Sequence, residues 1–199
     1  MNILFLSNNP ITDDLLFWLE KDAEEDVTVE SERLTKDSFL RHNPELVISY
    51  NYQYIIKKDI LDLLPNGFVN LHIGYLPWNK GVQPNIWSFL ENTPKGITIH
   101  IIDEGVDTGN LLLQKRIEFP DMSITLLESY THLHSEMRKL FQENWDDIKN
   151  KRITPYEQKG EGTFHLRKEL NGIVGIILPK GWDTPVSELK RLYDLSERQ

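Results

Sequence analysis

Short runs of β-branched and aliphatic residues, recurring through the first 120 residues between helix-like stretches, constrain this chain most. NILFLS, DVTVES, ELVISY, GFVNLHI, GITIHII and LLLQKRIEF read as strands. Helical patterns separate them. ITDDLLFWLEKD gathers Leu15, Leu16, Trp18 and Leu19 into a broad apolar side, KDSFLRHN is a short helix, and YIIKKDILDLL is stopped by Pro65 and Gly67. Pro84 suits the first turn of a further helix, PNIWSFLEN. The last two strands flank the loop DEGVDTGN. Strand–helix–strand alternation of this kind predicts an α/β fold, a mostly parallel sheet with helices on both faces.

From Ser123 to Asn150 the spacing of Leu126, Leu127, Tyr130, Leu133, Met137, Leu140, Phe141 and Trp145 predicts one long helix, with Ser123 as its N-cap. After Pro155 glycine and proline punctuate short strand-like pieces and a final amphipathic helix. Residues 1–155 then form the main domain and 156–199 a small C-terminal α/β appendage. The appendage is too small for a core of its own. Its apolar residues, Ile173, Val174, Ile176, Ile177, Leu178 and Trp182, must be covered by the main domain or by a second copy, and a homodimer through this tail is expected.

Composition narrows the function. With 39% hydrophobic and 27% charged residues the chain has the make-up of a soluble globular protein. No apolar run approaches the ~18 residues of a membrane span. The N-terminus lacks the basic region and cleavage site of a signal peptide and reads as a first strand. The absence of cysteine agrees with a cytoplasmic protein and rules out disulfides and thiolate zinc. A net charge of −9, with basic residues only in small clusters such as Lys57-Lys58, argues against a nucleic-acid partner.

Asn70 and His72 lie two apart in GFVNLHI, so a strand presents both on one face. A buried polar pair of that kind needs partners or a task. Open parallel sheets bind ligands beyond the carboxyl ends of their strands. Two such ends carry unusual residues: Asn70 and His72 with the following PWNKG loop, and the acidic loop holding Asp103, Glu104 and Asp107. A histidine can move a proton near neutral pH, a carboxylate can orient its ring, and an amide can donate to an oxyanion. Read alone, an Asn-x-His strand such as Asn70 and His72 is more often a satisfied structural pair, and Gly105 and Gly109 could mark only a tight turn.

The stretch from Asn70 to Gln114 resembles the catalytic signature of the folate-dependent formyltransferases: the Asn-x-His strand, LPWNKG, a proline before a tryptophan-bearing helix, GITIHIID and DTGNLLLQ. GTFHLRKEL and GWDTPVSEL are similar to the tails of amino-sugar N-formyltransferases, the pseudaminic-acid type in particular. The resemblance implies a Rossmann-like formyltransferase fold, with Asn70, His72 and Asp107 as catalytic trio, N10-formyltetrahydrofolate as formyl donor, and a nucleotide-linked amino sugar as acceptor. It implies a pterin pocket shaped by Asp103, Glu104, Gly105 and Val106 and by Tyr50 at a strand end, and it calls for no metal. The chain departs from its relatives at Gly74, where many carry serine; that position flanks the site and bears on loop rigidity. The same trio would also serve methionyl-tRNA formylation, formyltetrahydrofolate hydrolysis or, without turnover, a folate-binding module.

Around the site, Trp78 in its loop either stacks a base or sugar or packs, and Asn79 and Lys80 are candidate substrate contacts, Lys80 for a phosphate. Trp87 reads as core. His100 alternates with Ile99 and Ile101 and reads as packing. His132 and His134 face apart on a helix. Arg167, Lys168 and Trp182 suit either a subunit interface or the acceptor.

Overall fold

The structure is a computed structural model, which describes residues 1–198. Its strands are β1 (Asn2–Leu6), β2 (Asp26–Glu30), β3 (Leu46–Tyr50), β4 (Phe68–His72), β5 (Lys80–Gly81), β6 (Gly96–Ile101), β7 (Leu111–Arg116) and β8 (Phe164–His165). Its helices are α1 (Asp13–Lys21), α2 (Lys36–His42), α3 (Lys58–Leu61), α4 (Pro84–Leu90), α5 (Leu126–Glu143), α6 (Trp145–Lys149), α7 (Arg167–Ile177) and α8 (Val186–Ser196). The six-stranded sheet runs β2-β1-β3-β4-β6-β7. Strands β2, β1, β3 and β4 are parallel; β6 lies antiparallel to β4, and β7 antiparallel to β6.

Strands β1 and β3 are apolar on both sides because both of their faces are covered, as a parallel sheet requires. On one face, Ile3, Phe5, Ile48, Leu71 and Ile99 meet Leu15 and Leu19 of α1 and Leu133, Met137 and Phe141 of α5. On the other, Leu4, Leu6, Val47 and Phe68 meet Phe39 of α2 and Ile60 of α3. The alternating positions Ser49, Asn70, His72, Thr98 and His100 belong to this second face, at the end of the sheet that α2 and α3 leave uncovered.

Three local expectations change. The helix read over YIIKKDILDLL shrinks to Lys58–Leu61, because the Tyr52 hydroxyl bonds Glu32 O (2.6 Å) and accepts from Leu34 N (2.8 Å), tying the preceding segment to the β2 side. The long helix is capped by Thr125, not Ser123. Thr125 Oγ1 accepts from Glu128 N at 3.1 Å and Glu128 Oε2 accepts from Thr125 N at 2.7 Å, a reciprocal box that satisfies two helix-end donors. That helix breaks at Asn144, whose side chain bonds Leu140 O (2.8 Å), before α6 begins. In the stretch after Pro155, where short strand-like pieces are expected, residues 167–177 form α7, since Leu170, Ile173, Val174 and Ile177 recur at helical spacing. Leu170 and Ile177 of α7 and Val186 and Leu189 of α8 pack on Ile86, Trp87, Phe89 and Leu90 of α4 and on Leu126. The tail is therefore covered by its own chain, while Val174 (36% exposed) and Ile176 (52%) face outward. Among the described residues no helix is long and apolar enough to cross a membrane.

His134 of α5 is buried, shares a hydrogen bond with the equally buried Tyr50 hydroxyl through Nδ1, and has no partner at Nε2 among the described residues. Burial pulls its pKa from 6.5 to about 4. The unfolded chain takes up the proton first, so stability held above pH 6.5 is lost as the pH falls towards 4. The shift corresponds to roughly 3 kcal/mol. In pH-resolved urea unfolding, His134→Gln should lose less stability between pH 7 and 4.5 than the parent chain; parallel curves would count against this assignment.

Candidate active site

Asn70, in the middle of β4, has Ser49 of β3 on one side and His100 of β6 on the other. His72 follows at the end of the strand on the same face. Because β6 runs antiparallel, its carboxyl end lies beside the amino end of β4, with Ile101 opposite Val69. The loop Asp103–Asn110 starts there and folds back across the sheet face. Asp107 is thereby brought to the two β4 side chains: its Oδ1 accepts from Asn70 Nδ2 at 3.2 Å and its Oδ2 is 3.6 Å from His72 Nδ1. The contact lies along the face of β4 as well as beyond its carboxyl end. The Gly81 N–H donates to Asp107 Oδ2 at 2.8 Å.

His100 joins them. Its Nδ1 donates to Ile101 O (2.8 Å), which leaves Nε2 as the acceptor for the Asn70 amide at 3.1 Å. The Asn70 amide nitrogen thus bridges His100 and Asp107, which fixes the amide's orientation. Reading His100 as packing was wrong. Thr98 and His100 alternate with Ile97 and Ile99, and that two-residue period was the available sign that the two polar residues share one face of the strand, opposite the isoleucines.

Burial lowers the pKa of His72 against the opposing pull of Asp107 and of the Asn79 carbonyl, 3.3 Å from Nε2. A carbonyl can only accept, so in the neutral ring the proton sits on Nε2 and the lone pair on Nδ1, facing Asp107. For Asp107 burial acts upward, but the attraction of the His72 and His100 rings in their charged forms, together with the Gly81 N–H, outweighs it and holds the carboxyl well below the usual range. The result is a neutral base beside a carboxylate that stays charged. Gly74 does more than flank this pair: a Cβ there would lie 2.5 Å from His72 Nε2, so the bare backbone makes room for the ring.

Other expected contacts lie elsewhere. Tyr50 is inside the core with its hydroxyl on His134, so its side chain offers a ligand nothing. Asp103, Glu104, Gly105 and Val106 are exposed on the outside of the loop. There Asp103 Oδ1 accepts from Gly105 N (3.1 Å) and Thr108 Oγ1 (2.6 Å), and Glu104 pairs with Lys58 at 2.8 Å. Asp103 and Glu104 line a cavity of about 340 Å³ that the trio does not reach. Trp78 and Lys80 are half-buried, and Lys80 Nζ donates to Glu161 O at 3.4 Å. Trp87 is core, stacked on His165 with ring centres 4.0 Å apart.

The Asn79 side chain is engaged within the fold. It is wholly buried, its amide donates to Thr93 Oγ1 (2.8 Å), its Oδ1 accepts from Thr93 and Thr163, and its N–H donates to Thr163 Oγ1 (2.8 Å).

The family model for the formyl transferase matches residues 18–143. The chain belongs to that family. Methionyl-tRNA formyltransferase of Thermodesulfovibrio yellowstonii is 36% identical over 147 residues, 69% of this chain and 47% of that protein. This chain spans about half the length of the curated relatives it matches. The formyltransferase PseJ from Anoxybacillus kamchatkensis, solved with UDP-4,6-dideoxy-4-formamido-L-AltNAc and tetrahydrofolate, is 40% identical. It superposes with a TM-score of 0.84, covering 94% of this chain and 96% of that one. A 4-N formyltransferase from Francisella tularensis, 20% identical with a TM-score of 0.71 over 86% of this chain and 78% of its own, shares the fold. The mostly parallel α/β sheet is the family's fold.

Removing the Asn79 side chain takes away the partner of Thr93 Oγ1 and one of the two partners of Thr163 Oγ1 and leaves a gap in the fold, so Asn79→Ala should cost about 1–3 kcal/mol in urea unfolding. An unchanged midpoint with a raised acceptor KM would return Asn79 to a binding role.

Proposed function

We propose that the chain transfers the formyl group of N10-formyltetrahydrofolate to the amine of a nucleotide-linked amino sugar. The observation that carries this reading is the convergence of an amide, a neutral imidazole and an anionic carboxylate, with Asp107 Oδ1 3.2 Å from Asn70 and Oδ2 3.6 Å from His72. The 40% identity with PseJ along almost the whole of both chains supports a sugar acceptor.

The donor set fits a formyl group: one N–H donor for an oxygen that gains charge, and one base beside it. The folate supplies the formyl carbon and a departing nitrogen. Asn70 Nδ2 turns one of its two protons from His100 or Asp107 to that oxygen, worth roughly 3 kcal/mol in comparable oxyanion sites. His72 takes the proton of the attacking amine at Nδ1. Both ring N–H groups then have acceptors, Asp107 Oδ2 on one side and the Asn79 carbonyl on the other. Asp107 stays ionised and stabilises the imidazolium, and His72 returns the proton to the departing nitrogen.

The assay mixes the chain with N10-formyltetrahydrofolate and a UDP-linked 4-amino-4,6-dideoxyhexose, and follows folate release and the acceptor's mass. A formylated sugar supports the reading. Formylation of methionyl-tRNA alone, the activity named for the longer relatives of which this chain spans about half, or folate release with no formylated acceptor would overturn it. The net charge of −9 disfavours tRNA. His72→Asn should fold normally and lose ~10²-fold or more in kcat; turnover within a few-fold of the parent would remove His72 from the mechanism.

We further infer a homodimer through the tail, where Phe164, Leu166, Val174 and Ile176 remain exposed. Light scattering should read twice the chain's 23.4 kDa at micromolar concentration, and a single-chain mass would refute it.

A further inference from the structure

The loop that carries Asp107 has little to hold it. Residues 103–106, Thr108 and Asn110 are exposed, and Asp107 itself is left-handed, with φ of 54°. Aspartate enters that region more readily than most side chains, and its surroundings decide whether it stays there.

The deciding element comes from beyond the family match, which ends at residue 143. After α6 the chain returns as a strap over the site. Tyr156 makes a two-way backbone bridge with Leu111 (2.8 and 3.0 Å) at the start of β7. Gly162, with φ of 67°, packs so closely on Pro77 that a Cβ would lie 1.9 Å from its carbonyl oxygen. Thr163 then binds Asn79, and β8 pairs with β5, the strand that supplies the Gly81 N–H to Asp107. Between these anchors Gln158 alone turns inward: it is half-buried, whereas Tyr156, Glu157, Lys159 and Gly160 are exposed. Its Nε2 donates to Asp107 O at 2.8 Å and to Gly109 O at 3.0 Å. Among the described residues it is the one side chain outside the loop that bonds the loop's backbone.

We propose that Gln158 is a positioning residue for Asp107, a two-proton clamp that holds the loop in the left-handed turn from which the carboxylate reaches Asn70 and His72. An amide suits this place because both of its N–H groups are spent on carbonyls; a carboxylate there would face the same two carbonyls with no proton to give. The consequence for catalysis rests on the proposed role of Asp107, but the geometry does not.

The test uses full-length Gln158→Ala and Gln158→Glu. Kcat should fall roughly ten- to a hundredfold, as for a small misplacement of a catalytic group, with both KM values within threefold and the melting temperature within a few degrees. The His72 ring, followed by NMR titration of labelled histidine, needs no turnover. Loss of the nearby carboxylate should move its pKa further down, in the direction given by Asp107→Asn, and the Gln158 change should add nothing in the Asp107→Asn background. If kcat stays within threefold of the parent, or the His72 titration is unmoved, Gln158 is not a positioning residue. Should both variants unfold, Gln158→Met keeps the chain's bulk without the protons and is read by the same titration. If formyl transfer itself is absent from the parent chain, the titration still decides whether Gln158 places the carboxylate.

Discussion

The antiparallel seating of β6 beside β4 is the constraint on which the site depends. A parallel neighbour would release its following loop at the carboxyl end of β4, directly above His72. Here β6 ends beside the start of β4, Ile101 against Val69, so the loop bearing Asp107 must return across the sheet face to reach the strand it serves. The same reversal sets His100 opposite Asn70. One topological choice thus brings the amide its orienting partner and brings the carboxylate by way of a long, exposed and otherwise weakly held excursion.

Electrostatics explains why the excursion is closed so tightly. A buried carboxylate is costly unless it is paired and hydrogen-bonded. Asp107 finds the Asn70 amide and the Gly81 N–H, and burial at the same time keeps His72 neutral. Each group depends on the others: the carboxylate is tolerable because donors surround it, and a protonated His72 becomes tolerable because the carboxylate and the Asn79 carbonyl are waiting for it. Asn79 links this to the fold at large, since one residue gives its side chain to Thr93 and Thr163 and its carbonyl to His72.

Much of this was legible in the residues. The apolar runs specified the strands of the main sheet, because covering both faces of β1 and β3 demands continuous hydrophobic character. The spacing of Asn70 and His72 specified a shared face. What escaped were features set by partners distant in sequence. Nothing local in GITIHI tells which strand will lie beside it, so His100 could not be paired with Asn70 from its own neighbourhood. Nor does PWNKG reveal that Thr93 and Thr163 will close over Asn79. The tail misled for the opposite reason: isoleucine and valine favour strand locally, and the helical spacing of Leu170, Ile173 and Ile177 against α4 overrode that preference.

The strap and the sheet therefore divide the work differently from the way the sequence divides itself. Residues up to Asn150 contain every group placed in the chemistry, yet they leave the Asp107 loop without the Gln158 donors and leave β5 without its partner strand. Tail helices α7 and α8 anchor the far end of that strap by packing on α4, whose first residue follows the loop carrying Asn79 and Gly81. Burial of apolar surface in the tail is in this way coupled to the placement of a single carboxylate. A change in how the tail packs, whether against α4 or against a second copy, reaches the reacting groups through β5 and Gln158 rather than through the central sheet.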